Sequence, residues 1–335
     1  MPDYLRQNDP GVQYLASVQG PHFLEDKKEQ ANRLAGQITT QDECHKVLND
    51  FLRLYRAGHL SVIDARPSSP TTMQLQRPEF KALSSQTLLL RIPSFDSSMT
   101  DAIKDLLQRN RKALRSSPNL LIDVRGNEGG SDWSWASLRS LIMANPIRQY
   151  SMEFLATDDN AESVALTMKI KQSDPALAKA LDIEHSLMRS SPSGQYFRKG
   201  THPVRFTDVL AFESQARPNR VAILVDSRCA SSCEEFLLQA RQSWKTKIFG
   251  SYTAGTLDYS NLRIHWLPSH KRLLFYAISR SARLPDFPID RIGIQPDFFV
   301  PSSENQSSNT QDDAITFILK VLETKQKLRR KLNTD

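Results

Sequence analysis

Apolar and polar positions along this chain follow two periods, and the change of period marks the elements. Val221 to Val225 is an unbroken apolar run, the pattern of a strand buried on both faces. The small cluster Ala230-Ser231-Ser232 follows, and then Cys233, Phe236, Leu237, Ala240 and Trp244 recur at helical spacing. The reading is strand, polar turn, helix. Thr87 to Ile92, Asn119 to Val124, Lys247 to Phe249 and Phe299-Val300 predict further strands. Between them, Thr100 to Leu114 predicts a helix with Ile103, Leu106, Leu107 and Leu114 inward, and Trp133 to Met143 predicts another. This alternation argues for an α/β core with mostly parallel strands. Asn261 to Leu267 and Arg272 to Ile278 flank Pro268-Ser269-His270 as a hairpin.

Residues 1–64 read as mainly helical. Glu25 to Ile38 is a mixed amphipathic stretch. Thr40 to Ala57 is clearer, with Thr40 and Glu43 as a capping box and Cys44, Val47, Leu48, Phe51 and Tyr55 as one stripe. Gly58 fits the C-terminal cap, and Leu60 to Ile63 could begin a strand. Arg66 to Arg77, rich in Pro, Ser and Thr, reads as a linker. Asp158 to Met188 is helical and polar and interrupts the strand series, so it is expected as an insertion over one edge of the core. Asp312 to Leu322 is a last amphipathic helix. The linear division is a helical N-terminal region over 1–68, a linker over 69–82, a core over 83–322 with an insertion at about 155–200, and a basic tail over 323–335.

Composition narrows the class. The 335 residues are 39% hydrophobic and 24% charged, ordinary for a soluble globular protein. The net charge of +7 is spread out, and only Lys325 to Lys331, KQKLRRK, is dense. Behind an amphipathic helix this run reads as a solvated helix end, so no nucleic-acid partner is expected. No apolar segment is long enough to span a membrane. The first thirty residues lack the apolar core of a signal peptide, so a cytoplasmic protein is expected, or a periplasmic or secreted one if a leader has been removed. Three cysteines, Cys44, Cys229 and Cys233, are too few for a disulfide framework. Cys229 and Cys233 flank the serine turn and read as small buried thiols, with a redox-sensitive pair as the second reading. No four ligands stand at zinc spacing, so neither metal nor cofactor is expected.

Two turns carry candidate chemistry. A serine where strand becomes helix is pushed out of the sheet beside N–H groups that have no intrahelical partner. It can attack a carbonyl while those groups hold the oxyanion, or it can simply cap the helix. Asn127-Glu128-Gly129-Gly130 ends a second buried strand, and adjacent glycines allow close backbone approach or a tight turn alone. No Gly-Lys-Ser/Thr follows, so this is not a phosphate loop.

The order LLIDVRGNEGG, VAILVDSRCASSCEEF, IFGSYTAGT and DRIGIQPDFFV resembles the C-terminal processing (tail-specific) peptidases and the tricorn-protease core. Those serine peptidases show an LIIDLRGNGGG strand end, an ASASE nucleophile turn, a GE-x-T-x-G strand and a G-x-x-PD closing strand. The resemblance covers about Val47 to Val300. It implies a ClpP/crotonase-like α/β core with mixed, mostly parallel sheets behind a small helical region. The family nucleophile stands three residues before the glutamate, which here is Ser231 before Glu234. The processing branch has a lysine base 25 places on, where this chain has Thr256, so a Ser–Lys dyad is excluded. The tricorn branch uses a histidine from the N-terminal part and an acid before the closing strand, implying His59 and Asp290. Two departures stand out. Gly58 replaces a relay serine, and Asp290 is one methylene shorter than glutamate. The stretch between His59 and Thr87 is too short for a PDZ domain, so β-augmentation of free C-termini is not expected.

The implied activity is that of a serine-type endopeptidase acting on protein or peptide. Ser231 is the nucleophile, His59 the general base and Asp290 the orienting acid. The oxyanion hole comes from the Ser232 N–H with one from Gly129 or Gly130. Thr256, Asp258 and Asn261 are possible cleft residues. His265 and His270 are weaker candidates for the base. The alternative is a non-catalytic binder of apolar ligands or peptides, since the core is also related to interphotoreceptor retinoid-binding protein. An α/β-hydrolase esterase is disfavoured because no Gly-x-Ser-x-Gly surrounds Ser231.

Overall fold

The computed structural model describes residues 1–20, 22–65, 76–170, 175–199, 206–211, 215–300 and 312–332. The chain forms two compact units, each made of three separated segments. The first comprises Met1–Thr72, Tyr150–Thr207 and Asp258–Pro288; the second comprises Met73–Gln149, Asp208–Leu257 and Ile289–Asp335.

The second unit holds a six-stranded sheet in the order Phe298–Phe299, Thr246–Gly250, Arg220–Val225, Asn119–Asp123, Thr87–Arg91, Glu79–Ala82. All neighbours are parallel except the last two, which form an antiparallel pair. Side chains alternate across the sheet with the period of two that a strand imposes. Leu90, Ile122 and Ile223 face Ile103, Leu114 and Phe236. Leu89, Leu121 and Leu224 face the other way, against Ile318 and Leu322 of the helix Asp313–Leu332. Both faces are covered, which explains the unbroken apolar runs in these strands.

The first unit is built on the long strand Arg272–Ser281. It pairs antiparallel with Tyr259–Trp266, Ser61–Asp64 and Met152–Leu155, and the last of these pairs with Tyr196–Arg198. The helices Asp158–Ile170 and Pro175–Ser190 were expected as an insertion over the core. They contribute Val164, Leu181 and Met188 to the same apolar cluster as Leu5 and Leu52 of the N-terminal helices and Leu274 and Tyr276 of the strand. The expected single core over 83–322 is therefore divided, because its hairpin and inserted helices bury their apolar faces with the N-terminal region.

Several boundaries move. The helix expected over Thr100–Leu114 breaks at Asn110 into Thr100–Arg109 and Arg111–Ser116. Trp133–Met143 resolves into short turns, Asp132–Trp135, Ala136–Leu138 and Arg139–Ile142. The helix expected to Ala57 ends at Arg53, although its Thr40–Glu43 capping box forms. The serine helix stops at Ala240, so Trp244 lies past its end and is 71% exposed. The basic run Lys325–Lys331, expected as a helix end within the segment 323–335, lies in the last helix, which runs to Leu332. Residues 66–75 of the expected linker lie outside the described residues, and Glu79–Ala82 near its end is a strand. Among the described residues no helix is long and apolar enough to cross a membrane.

Ile223 lies in the middle of the parallel sheet with no exposed surface. Ile223→Ala is expected to lower the unfolding free energy by about 2–5 kcal/mol. Trp244→Ser should stay within about 0.5 kcal/mol. Urea denaturation of both variants checks the revised end of the helix.

Candidate active site

The serine turn joins the strand Arg220–Val225 to the helix Ser232–Ala240. Ser231 has φ +55° and ψ −120°, a conformation that side-chain-bearing residues rarely adopt. It is partly exposed, whereas Ser232, Cys233 and Glu234 are buried. Cys229 and Cys233 form a disulfide across the turn, with Cα atoms 5.5 Å apart. The expectation of two free buried thiols is thereby corrected; Cys44 is the free cysteine.

Glu234 fixes the turn from within. Its fully buried carboxylate accepts from the Ser231 N–H (3.2 Å), the Thr253 hydroxyl (2.5 Å), the Gly255 N–H (2.8 Å) and the Thr256 N–H (2.8 Å). Thr253 Oγ1 in turn accepts the Ile294 N–H at 2.7 Å. The serine turn and the strand end after Gly250 thus converge on one carboxylate, and Thr253 ties the chain after Asp290 to that anchor. Thr256, a possible cleft residue by sequence, is part of this anchor through its backbone.

The glycine turn lies directly on the serine turn. A Cβ on Gly129 would come within 2.6 Å of Ala230 O and 2.9 Å of Ser232 N, so no side chain fits there. Its φ of +94° requires glycine as well. Asn127 shapes the turn, donating from Nδ2 to Ile92 O (3.0 Å) and accepting the Gly129 N–H at Oδ1 (2.9 Å). Gly129 is thereby spent as a donor. The Gly130 N–H has no acceptor among the described residues. The Ser232 N–H, first in its helix, has no intrahelical acceptor. The Ser232 hydroxyl is held away from chemistry: it donates to Asp132 Oδ1 (2.5 Å) and accepts from Trp135 Nε1 (3.0 Å).

Asp290, expected as the orienting acid, accepts the Leu257 N–H on Oδ1 at 2.7 Å. The adjacent Arg291 N–H donates to Gly255 O at 3.0 Å, tying the same two segments together.

His59 belongs to the first unit. Its backbone has φ +58°, and its Nδ1 lies 2.5 Å from Tyr259 O. A carbonyl can only accept, so Nδ1 carries the proton and Nε2 keeps its lone pair. Burial pushes the imidazole pKa down to about 4; the bond to Tyr259 opposes this and the nearby Arg56 adds to it. The ring is therefore neutral at pH 7. Arg56 holds the loop. It forks onto Asp9 (3.0 and 2.8 Å) and donates to Gly58 O and His59 O (2.9 Å each). Asp9 also caps the helix Pro10–Gln19 through the N–H groups of Gly11 and Val12. Asp9, Arg56 and the Tyr259 carbonyl are supports that sequence reading missed. Asp9-Pro10 signals a helix start, but nothing local pairs Asp9 with Arg56.

Three other expected residues serve structure. Asp258, expected in the cleft, is buried in an ion pair with Arg283 at 3.1 Å. Asn261 has φ +56° and donates to Ser279 Oγ at 2.8 Å inside the hairpin. His265 stacks on Tyr4 at 3.9 Å between ring centres.

Residues 86–300 match peptidase family S41. The chain belongs to this family. No curated protein matches it. Among solved structures, a candidate peptidase from Parabacteroides merdae ATCC 43184 is similar at TM-score 0.58 and 14% identity, covering 95% of this chain and 93% of that one. A lipoprotein from Streptococcus agalactiae is similar at TM-score 0.52 and 14% identity, covering 89% of each. At these identities both likenesses concern the fold. The tricorn protease is more distant, at TM-score 0.40 and 12% identity, over 71% of this chain and 17% of that one. Membership of S41 places this chain among serine peptidases with peptide substrates.

Two outcomes follow for this member of family S41. Glu234→Gln turns one acceptor oxygen into an amide that faces N–H groups, and should cost roughly 3 kcal/mol or more in urea denaturation. His59, with its pKa depressed from 6.5 to about 4, contributes stability that is full above about pH 6.5 and is lost as pH falls towards 4. The loss is up to about 3 kcal/mol. An NMR titration should find His59 neutral down to about pH 5, and His59→Gln should flatten the pH dependence of stability in that window.

Proposed function

We propose that this chain hydrolyses peptide bonds through an acyl-enzyme on Ser231, with His59 as general base. The observation that carries the reading is the Ser231 backbone, at φ +55° and ψ −120° on a strand-to-helix turn. A helix cap does not need that conformation, whereas a turn that presents a hydroxyl for attack does. Ser231 Oγ attacks the substrate carbonyl and passes its proton to His59 Nε2. The oxyanion accepts from the Ser232 and Gly130 N–H groups, each worth about 3 kcal/mol. As the C–N bond breaks, the imidazolium returns the proton to the leaving amine. Water, deprotonated by the same nitrogen, releases the acid.

In this reading Asp290 does not orient the base. The single Nδ1 proton of His59 is engaged by the Tyr259 carbonyl, and Asp290 secures the Leu257 N–H. The carbonyl fixes the tautomer and accepts from the imidazolium when it forms. For location, the Cys229–Cys233 bond favours an oxidising compartment outside the cytoplasm.

Labelling by a fluorophosphonate, read by intact mass, tests the reading. Wild type should label, Ser231→Ala should not, and His59→Ala should react slower by roughly 10³-fold or more. Asp290→Asn should slow labelling by less than about tenfold, against roughly 10⁴ for the orienting carboxylate of a Ser-His-Asp triad. A folded wild type that does not label would favour the binder of apolar ligands or peptides.

A further inference from the structure

We propose that the Cys229–Cys233 disulfide is a clamp that positions Ser231, and that opening it switches the hydrolase off. The proposal rests on Ser231 being the nucleophile. The bond closes a ring of five residues with Ser231 at its centre, and both cysteines are fully buried. One end of the ring is tied to the strand side of the turn: the Cys229 carbonyl accepts the Ala254 N–H at 2.9 Å, and the Ala230 N–H donates to Asn127 O at 3.2 Å. The other end lies in the first turn of the helix, in the apolar cluster of Phe236 and Val225.

The relaxed alternative for this segment is more helix. If Ser231 left φ +55° for a helical φ, the helix Ser232–Ala240 could grow backwards through Cys229. Helical residues four apart hold their Cβ atoms about 5–6 Å from each other. A disulfide requires about 3.5–4.5 Å. The bond and the relaxed helix therefore exclude one another. While the bond stands, Ser231 is kept at the turn, with its hydroxyl outside the helix and the Ser232 N–H at the helix start. Glu234 holds the Ser231 N–H, but that bond alone does not forbid a helical φ. Reduction supplies two electrons and two protons. The S–S bond becomes two thiols, and the dithiol reductant becomes its own disulfide. The covalent restraint against the helical conformation is then gone, and only the hydrogen bonds to Ala254, Asn127 and Glu234 still hold the turn. Both the nucleophile and one oxyanion donor move when these yield.

The test uses the full chain carrying Cys44→Ser, so that only the pair is redox-active. Alkylation in denaturant should add no adduct before reduction and two after. Fluorophosphonate labelling, measured well below the melting temperature, should fall at least 100-fold after dithiothreitol and recover on re-oxidation. Cys229→Ala/Cys233→Ala should behave as the reduced protein does, and the reversible wild-type arm stands if that variant fails to fold. A role in stability alone would lower the melting temperature and leave the labelling rate of folded protein unchanged. Labelling within twofold in both redox states, or two free thiols in protein isolated under air, would overturn the clamp. If the oxidised protein never labels, the nucleophile reading fails instead. Amide exchange in the peptide covering 227–235 then decides the clamp separately. It should change at least tenfold on reduction, and an unchanged peptide would overturn it.

Discussion

The buried carboxylate of Glu234 is the interaction on which the site depends. An ionised carboxylate without water is costly unless donors surround it. Here four donors from two chain segments do so: Ser231, Thr253, Gly255 and Thr256. None of these segments is regular structure, so their backbone groups would otherwise lack partners. One charge thus satisfies the loops and fixes the serine turn against the next strand end. Thr253 passes the order on to Ile294, and Asp290 repeats the device one step away by holding Leu257.

Against that anchor the serine turn sustains strain at Ser231. Ser231 has a positive φ although it bears a side chain, and glycines meet it from the facing turn. The approach of Gly129 to Ala230 and Ser232 leaves no room for a methyl group. Asn127 decides which glycine stays available, since it takes the Gly129 N–H and leaves that of Gly130. The disulfide limits the relaxation that the strained residue would otherwise undergo. Rigid surroundings and a strained centre are what a preorganised hydrogen-bonding site requires.

His59 shows the same logic in the first unit. Burial favours the neutral ring, and a carbonyl fixes the tautomer, so the lone pair resides on Nε2. The loop that carries it is held by a buried ion pair whose acid, Asp9, also caps a helix. Cutting that pair would leave a charge buried alone, which explains why a loop outside regular structure can hold one geometry.

What the sequence determined by itself was the local order. The strands Thr87–Arg91, Asn119–Asp123 and Arg220–Val225 were legible because strands covered on both faces must be apolar throughout. The Thr40–Glu43 cap, the hairpin and the two special turns were legible because each depends on neighbours within a few residues. The motif order was enough for the family. Tertiary structure decided the rest. The inserted helices joined the N-terminal core because their apolar faces are buried there. Asp258 met Arg283, Arg56 met Asp9, and His59 met the Tyr259 carbonyl. Cys229 and Cys233 bonded because the turn between them folds back, which their spacing alone does not require. Partner choice for a buried polar group is settled by whichever group the fold brings within about 3 Å. Such contacts link distant positions and leave no periodic trace in either one.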